Sequence, residues 1–123
     1  MREHHGFTLI ELLVVMTVLA LLLSIAAPRY FRHVEMARET VLRENLHILR
    51  TSIDKFRGDR GRYPANLQEL VTERSLRDVP LDPFTDRSDT WVTVPPNHTE
   101  PSVYDVKSGA TGNASNGRPY AAL

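Results

Sequence analysis

Gly6-Phe7-Thr8-Leu9-Ile10-Glu11 opens an apolar run that continues to Ala27, and its reading decides the fold of this 123-residue chain. The 21 residues from Phe7 to Ala27 are long enough to cross a bilayer as a helix, at about 1.5 Å per residue against a hydrocarbon core about 30 Å thick. Only Thr8, Glu11, Thr17 and Ser24 interrupt the hydrocarbon. A carboxylate in lipid costs roughly 2.5 to 3.5 kcal/mol at a helix centre and less near an end. Glu11 therefore requires a partner or a function.

A partner arises if the chain is cut after Gly6. Phe7 then becomes the amino terminus, and its ammonium on a neighbouring copy of the helix neutralises Glu11, an attraction far stronger in low dielectric than in water. Each buried carboxylate would be satisfied in one register only, which would give identical helices a defined stagger.

Gly6-Phe7-Thr8-Leu9-Ile10-Glu11, followed by apolar residues to Pro28 and then an amphipathic helix, resembles the class III signal of type IV pilins and of the pseudopilins of type II secretion systems. The resemblance implies cleavage by a prepilin peptidase between Gly6 and Phe7, N-methylation of Phe7, and Glu11 as the assembly residue. It divides the chain into a leader at 1–6, a transmembrane and assembly helix at 7–27, and a periplasmic domain at 28–123. Two blander readings compete. An ordinary secretory signal peptide would end near Ser24-Ile25-Ala26, but the run is long, Glu11 lies inside it, and Arg2 is the only Lys or Arg before it. A plain transmembrane anchor would leave Glu11 incidental, against the rule that intramembrane acids are functional.

Without the apolar arm, fewer than 100 residues remain for a head, so its core is small. The chain has no cysteine, which excludes a disulfide framework and a thiolate metal site. Net charge is zero, yet residues 29–62 hold nine Lys/Arg against five Asp/Glu, and residues 63–123 hold five against eight. In a polymer a basic stem against an acidic head would favour association between subunits. Within the stem Glu35, Glu39, Glu44, Asp54 and Asp59 alternate with the bases, the pattern of a solvated helix face and not of a nucleic-acid stripe.

From Arg29 to about Gly58 the pattern is that of a helix. Leu42, Leu46, Leu49, Ile53 and Phe56 step by four and three residues along one face, with Val34, Ala37 and Val41 extending a related stripe. Pro28 is expected to kink or locally unwind this helix, because it removes a hydrogen bond and clashes with the preceding turn; Gly58 and Gly61 supply its stop. Asn66 with Glu69 in the capping-box position starts a short helix whose apolar face is Leu67, Leu70, Val71 and Leu76. Pro80-Leu81-Asp82-Pro83-Phe84 is turn chemistry. Thr90–Val94 and Ser102–Val106 then form two strands, the first with one buried face. The segment 108–117 is too polar to fold by burial alone and would be held by hydrogen bonds and Tyr120.

The order of long helix, Arg62-Tyr63-Pro64, short helix, Asp82-Pro83-Phe84, two strands and a Gly-rich end resembles the major, G-type pseudopilins of type II secretion. The implied fold is α+β and type IV pilin-like: a long N-terminal helix, its first half in the membrane, packed on a small head (about 62–123) with a short helix and antiparallel strands. The resemblance also implies calcium in the C-terminal loop, and here the residues disagree. No Asp or Glu follows Asp105, leaving Asn113, Ser115, Asn116 and carbonyls to hold a hard cation that normally needs carboxylate charge. No cofactor is expected. His33, His47 and His98 lack metal-helix spacing, His4 and His5 fall in the leader, and no nucleophile elbow or phosphate loop occurs, so neither a catalytic nor a metal site is assigned.

The resulting expectation is a nonenzymatic subunit of the type II secretion pseudopilus. Its implied partners are prepilin peptidase, other pseudopilins and copies of itself in a filament, and the inner-membrane secretion platform. The expected location is the bacterial inner membrane, crossed once, with the C-terminal domain in the periplasm. Arg29, Arg32 and Arg38 follow the apolar run while only Arg2 precedes it, against the positive-inside bias; the resemblance overrides it, because the junction must face the cytoplasm to be cut. A type IV or competence-type pilin is the runner-up. From another class, a secreted binding module or enzyme with an ordinary signal peptide is the alternative.

Overall fold

A computed structural model describes residues 5–123; Arg2, His4 and most of the expected leader fall outside the described residues. The elements in chain order are helix α1 (Leu9–Arg60), helix α2 (Leu67–Thr72), strands β1 (Val92–Val94) and β2 (Asp105–Lys107), and a 3-10 turn at Tyr120–Ala122. The chain divides into two compact units, one ending at Glu35 and the other spanning Met36–Leu123.

In the first unit every residue from Phe7 to Ala26 is exposed, including the whole apolar series. None of the described residues covers this arm, as befits a helix whose solvent is lipid. Thr17 and Ser24 hide their hydroxyls by donating to the carbonyls of Leu13 and Leu21 at 2.8 and 2.7 Å. Helix α1 runs through Pro28 without a break.

In the second unit the predicted stripe is the core. Leu42, Leu46, Leu49, Ile53 and Phe56 are all buried, in one cluster with Leu70, Trp91, Val103, Val106, Ala114 and Tyr120. Toward the N-terminus the stripe departs from expectation: Ala37 and Val41 are exposed, and the buried residue of that turn is Glu39, 4% exposed. A polar loop packs there and supplies Glu39 with donors. The helix also ends later than expected. Gly58 is helical, and the stop is Gly61, whose φ of +72° suits a residue without Cβ and whose N–H donates to the Arg57 carbonyl at 2.9 Å.

Asn66 caps α2 as predicted, its side chain accepting from the Glu69 N–H at 2.9 Å. Glu69 reaches back to the N–H of Ala65, one residue earlier than a capping box requires. Leu70 is buried, and Leu76 packs on the core from beyond the end of α2.

The strands are shorter than read from sequence, and the second begins three residues later. They pair antiparallel, Val92 with Lys107, Thr93 with Val106 and Val94 with Asp105. Burial does not alternate along β1: Trp91, just before it, is buried and Val92 is 50% exposed. A two-stranded ribbon has too little face to bury every second residue, and Trp91 docks through its own bond, Nε1–H to the Pro80 carbonyl at 2.8 Å.

Candidate functional site

Helix α1 begins immediately after Thr8, and the reason is local. The Glu11 N–H donates to Thr8 Oγ1 at 3.2 Å, and the Thr8 N–H donates to Glu11 Oε2 at 3.3 Å. This is a capping box, Thr8 as N-cap and Glu11 three residues on. The helix dipole adds a favourable field for the carboxylate. The Thr8-x-x-Glu11 spacing was present in the sequence, masked by the apolar run around it. Just outside the cap, Phe7 is 92% exposed, and a Cβ built on Gly6 would meet no atom within 4 Å. The Gly6–Phe7 peptide is thus open, with the carboxylate of Glu11 at a fixed place one turn beyond it.

At the other end of the apolar arm, Tyr30 and Phe31 are exposed and in edge contact, with centroids 5.9 Å apart, flanked by exposed Arg29 and Arg32. Aromatic rings and snorkelling arginines belong at a membrane–water boundary. Two aromatics and two arginines directly after Pro28 are a signal already present in the sequence.

The C-terminal loop is held as a network of hydrogen bonds around Tyr120. Ala114 N–H bonds to the Arg118 carbonyl at 2.7 Å, Tyr120 N–H to the Gly112 carbonyl at 3.1 Å, and the Tyr120 ring stacks on Phe84 at 4.0 Å. Arg50 of α1 ties the ribbon down. Its Nε donates to Asp105 Oδ1 at 2.9 Å, and its Nη2 donates to the carbonyls of Val106 and Leu123 at 3.0 and 2.9 Å. Arg60 pairs with Glu73 across the same unit. The basic stem and acidic head therefore spend part of their complementarity inside one subunit. In an exposed turn, Arg87 bonds Asp89 and thereby holds its carboxyl below the ordinary value, burial opposing slightly; such a surface pair contributes little to stability.

His33, His47 and His98 are exposed and apart in sequence and element. Among the described residues no three His, Asp or Glu side chains converge as metal ligands. One open cleft of about 540 Å³ is lined by Arg57, Arg62, Tyr63, Glu100 and Ser102, without the oriented nucleophile and base that covalent chemistry needs.

An exposed apolar helix with a carboxylate in its first turn, carried on a small α+β head, defines a pilin-like membrane-anchored subunit. Residues 1–27 match the family model of the prokaryotic N-terminal methylation motif. The type II secretion system core protein G of Klebsiella pneumoniae is 28% identical over 122 residues, 86% of each chain. That of Aeromonas hydrophila is 32% identical over 99 residues, covering 68% of this chain and 69% of the relative. The competence protein ComGC of Halalkalibacterium halodurans is 32% identical over 72 residues, 57% of this chain and 71% of its own. No solved structure was found to match. The chain belongs to the core protein G family of type II secretion, the major pseudopilins of the pilin-like superfamily. It is a structural subunit and not an enzyme, membrane-anchored by its apolar helix with a periplasmic head, and it assembles with other pseudopilins in a secretion system.

Proposed function

We propose that the chain is cut by prepilin peptidase between Gly6 and Phe7, methylated on Phe7, and polymerised from the bacterial inner membrane, by an inner-membrane secretion platform, into a periplasmic filament that drives protein export. Residues 1–6 are the leader, 7–27 the membrane and assembly helix, and 28–123 the periplasmic domain, with Pro28 as the bend between arm and stem.

The observation that carries this reading is the state of the first turn of α1. The carboxylate of Glu11 gives one oxygen, Oε2, to its own Thr8 N–H at 3.3 Å. Oε1 makes no hydrogen bond with the described residues, and among the 18 exposed helical positions from Leu9 to Ala26 only Glu11 is charged. The monomer thus caps its helix without neutralising its charge. A second copy's Phe7 ammonium supplies that neutralisation once the leader is gone, and lipid around the arm makes the pair strong.

Intact-mass analysis of protein from membranes tests the processing step. The expected mass is that of a chain starting at Phe7 plus one methyl group. A start near Ala27 would restore the signal-peptide reading. Gly6→Leu adds a side chain where the folded chain has open space, so the fold is expected to be unaffected and unprocessed precursor to accumulate.

A further inference from the structure

The resemblance to major pseudopilins implies a calcium ion in the C-terminal loop, and the residues of this chain do not fit one. Calcium takes six to eight oxygens, several of them carboxylate. Segment 108–117 has no acid of its own, and the carboxylates that reach this part of the chain are committed elsewhere. Asp105 Oδ1 accepts from Arg50 Nε at 2.9 Å and from the Val106 N–H at 2.7 Å. Asp82, fully buried, accepts from the Phe84 N–H at 2.9 Å through Oδ1 and from Ser108 Oγ at 2.5 Å through Oδ2. Glu39 accepts from the Ser115 N–H at 2.5 Å through Oε1 and from Ser115 Oγ at 2.8 Å through Oε2. Drawing any of these carboxylates to a cation would break its charge-assisted hydrogen bonds, and for Asp82 would strand the buried Ser108 hydroxyl.

We infer that the loop is closed without metal, by two carboxylates brought from outside it: Asp82 grips Ser108 at the loop's start, and Glu39 on α1 grips Ser115 near its end. Both acids are buried and both serines supply hydroxyl donors, with Ser108 itself buried. Ser108 relays the grip inward, its Oγ accepting from the Ala110 N–H at 3.1 Å. Between the two grips the chain passes Gly112, at φ +109°, where a Cβ would stand 3.2 Å from the Tyr120 ring. The loop is thereby pressed against the Phe84–Tyr120 stack. A metal-bound loop gathers its ligands within itself; here the same closure is distributed over α1 and the turn at Asp82, tying loop, stem and turn into one unit.

The test uses the full chain in detergent micelles, with magnesium as the control cation. Wild type is expected to melt within ~2 °C in calcium and in EGTA, whereas an occupied site at hundredfold excess over Kd would raise Tm by about 10 °C or more. Glu39→Ala removes both bonds to Ser115 and is expected to lower Tm by about 5–15 °C; Ser115→Ala removes only the Oγ bond and leaves the N–H on the carboxylate, so its fall is expected to be smaller, and the double variant to fall little below Glu39→Ala. A calcium-specific rise above ~2 °C in wild type overturns the inference, as do additive effects of the two substitutions or an unchanged Tm for Ser115→Ala. If Glu39→Ala does not fold, Ser115→Ala and the wild-type calcium titration decide alone. None of these readouts depends on cleavage or polymerisation.

Discussion

Gly109 shows how a single position constrains the head. A Cβ built there would lie 2.0 Å from the Thr90 carbonyl oxygen, a distance no side chain tolerates, and the obstacle is backbone. Gly109→Ala must push apart the end of the Asp82–Thr90 segment and the chain leaving β2, at about 1–3 kcal/mol. A fall in Tm of roughly 4–8 °C per kcal/mol follows for a domain of this size. Gly117→Ala is the control: φ is +82° but the space is open, so it carries only the left-handed penalty of about 1–2 kcal/mol. Calorimetry of the two variants separates contact from conformation, and equal losses would mean that the approach at Thr90 relaxes freely. At this scale the sequence reads unevenly. Glu39 looked like one acid among five on a solvated stem, and its partner Ser115 stands 76 residues away. Asp82 looked like a turn residue, and it is one, yet its second oxygen serves Ser108. Local spacing carries no record of such long-range pairs.

Elements with a strong period were legible. The stripe from Leu42 to Phe56 is buried as its spacing requires, because a helix of this length repeats one geometry at every turn. The strands were located only approximately. Each has three residues, too few for alternation to register, and Trp91 and Val103 are placed by bonds of their own outside any ladder, from Trp91 Nε1–H to the Pro80 carbonyl and from the Val103 N–H to the Pro64 carbonyl, both at 2.8 Å. Helix α2 was legible through its cap, and the cap matters because six residues cannot sustain a helix by propensity. Asn66→Ala removes the acceptor for the Glu69 N–H and is expected to cost about 1 kcal/mol, while Asn66→Asp retains it and costs a few tenths at most. Denaturant unfolding of the full chain in micelles gives both numbers. A loss from Asp equal to that from Ala would assign the role of Asn66 to packing instead of capping.

The whole molecule has two solvents. Residues 36–123 bury their apolar material in one core, while the arm from Phe7 to Ala26 buries none, so a subunit of this kind is complete only among lipids or other copies. Stem cations Arg29, Arg32, Arg38, Arg43 and Lys55 form no ion pair with the described residues, whereas Arg50 and Arg60 are paired within the subunit. The candidate site was legible as a motif, Gly6 to Glu11, but its geometry was not: Glu11 has a local role in the capping box besides the proposed one between copies. These roles separate by substitution. Glu11→Ala removes both cap partner and charge, and in lipid it also removes the cost of a buried carboxylate, so insertion and cleavage are expected to proceed as well as in wild type or better. Processed monomer should then accumulate in the membrane and filaments fail. Glu11→Gln keeps a side chain able to serve the capping box and loses only the charge. If neutralisation of Phe7 drives assembly, the Gln variant yields filaments between wild type and Ala; if capping drives it, Gln matches wild type. The measurement is sheared filament against membrane-retained processed monomer in a strain whose only pilin-like subunit is this one. Normal filaments from Glu11→Ala in that strain would sink the pairing mechanism, because no other acid lies within the apolar arm to take its place.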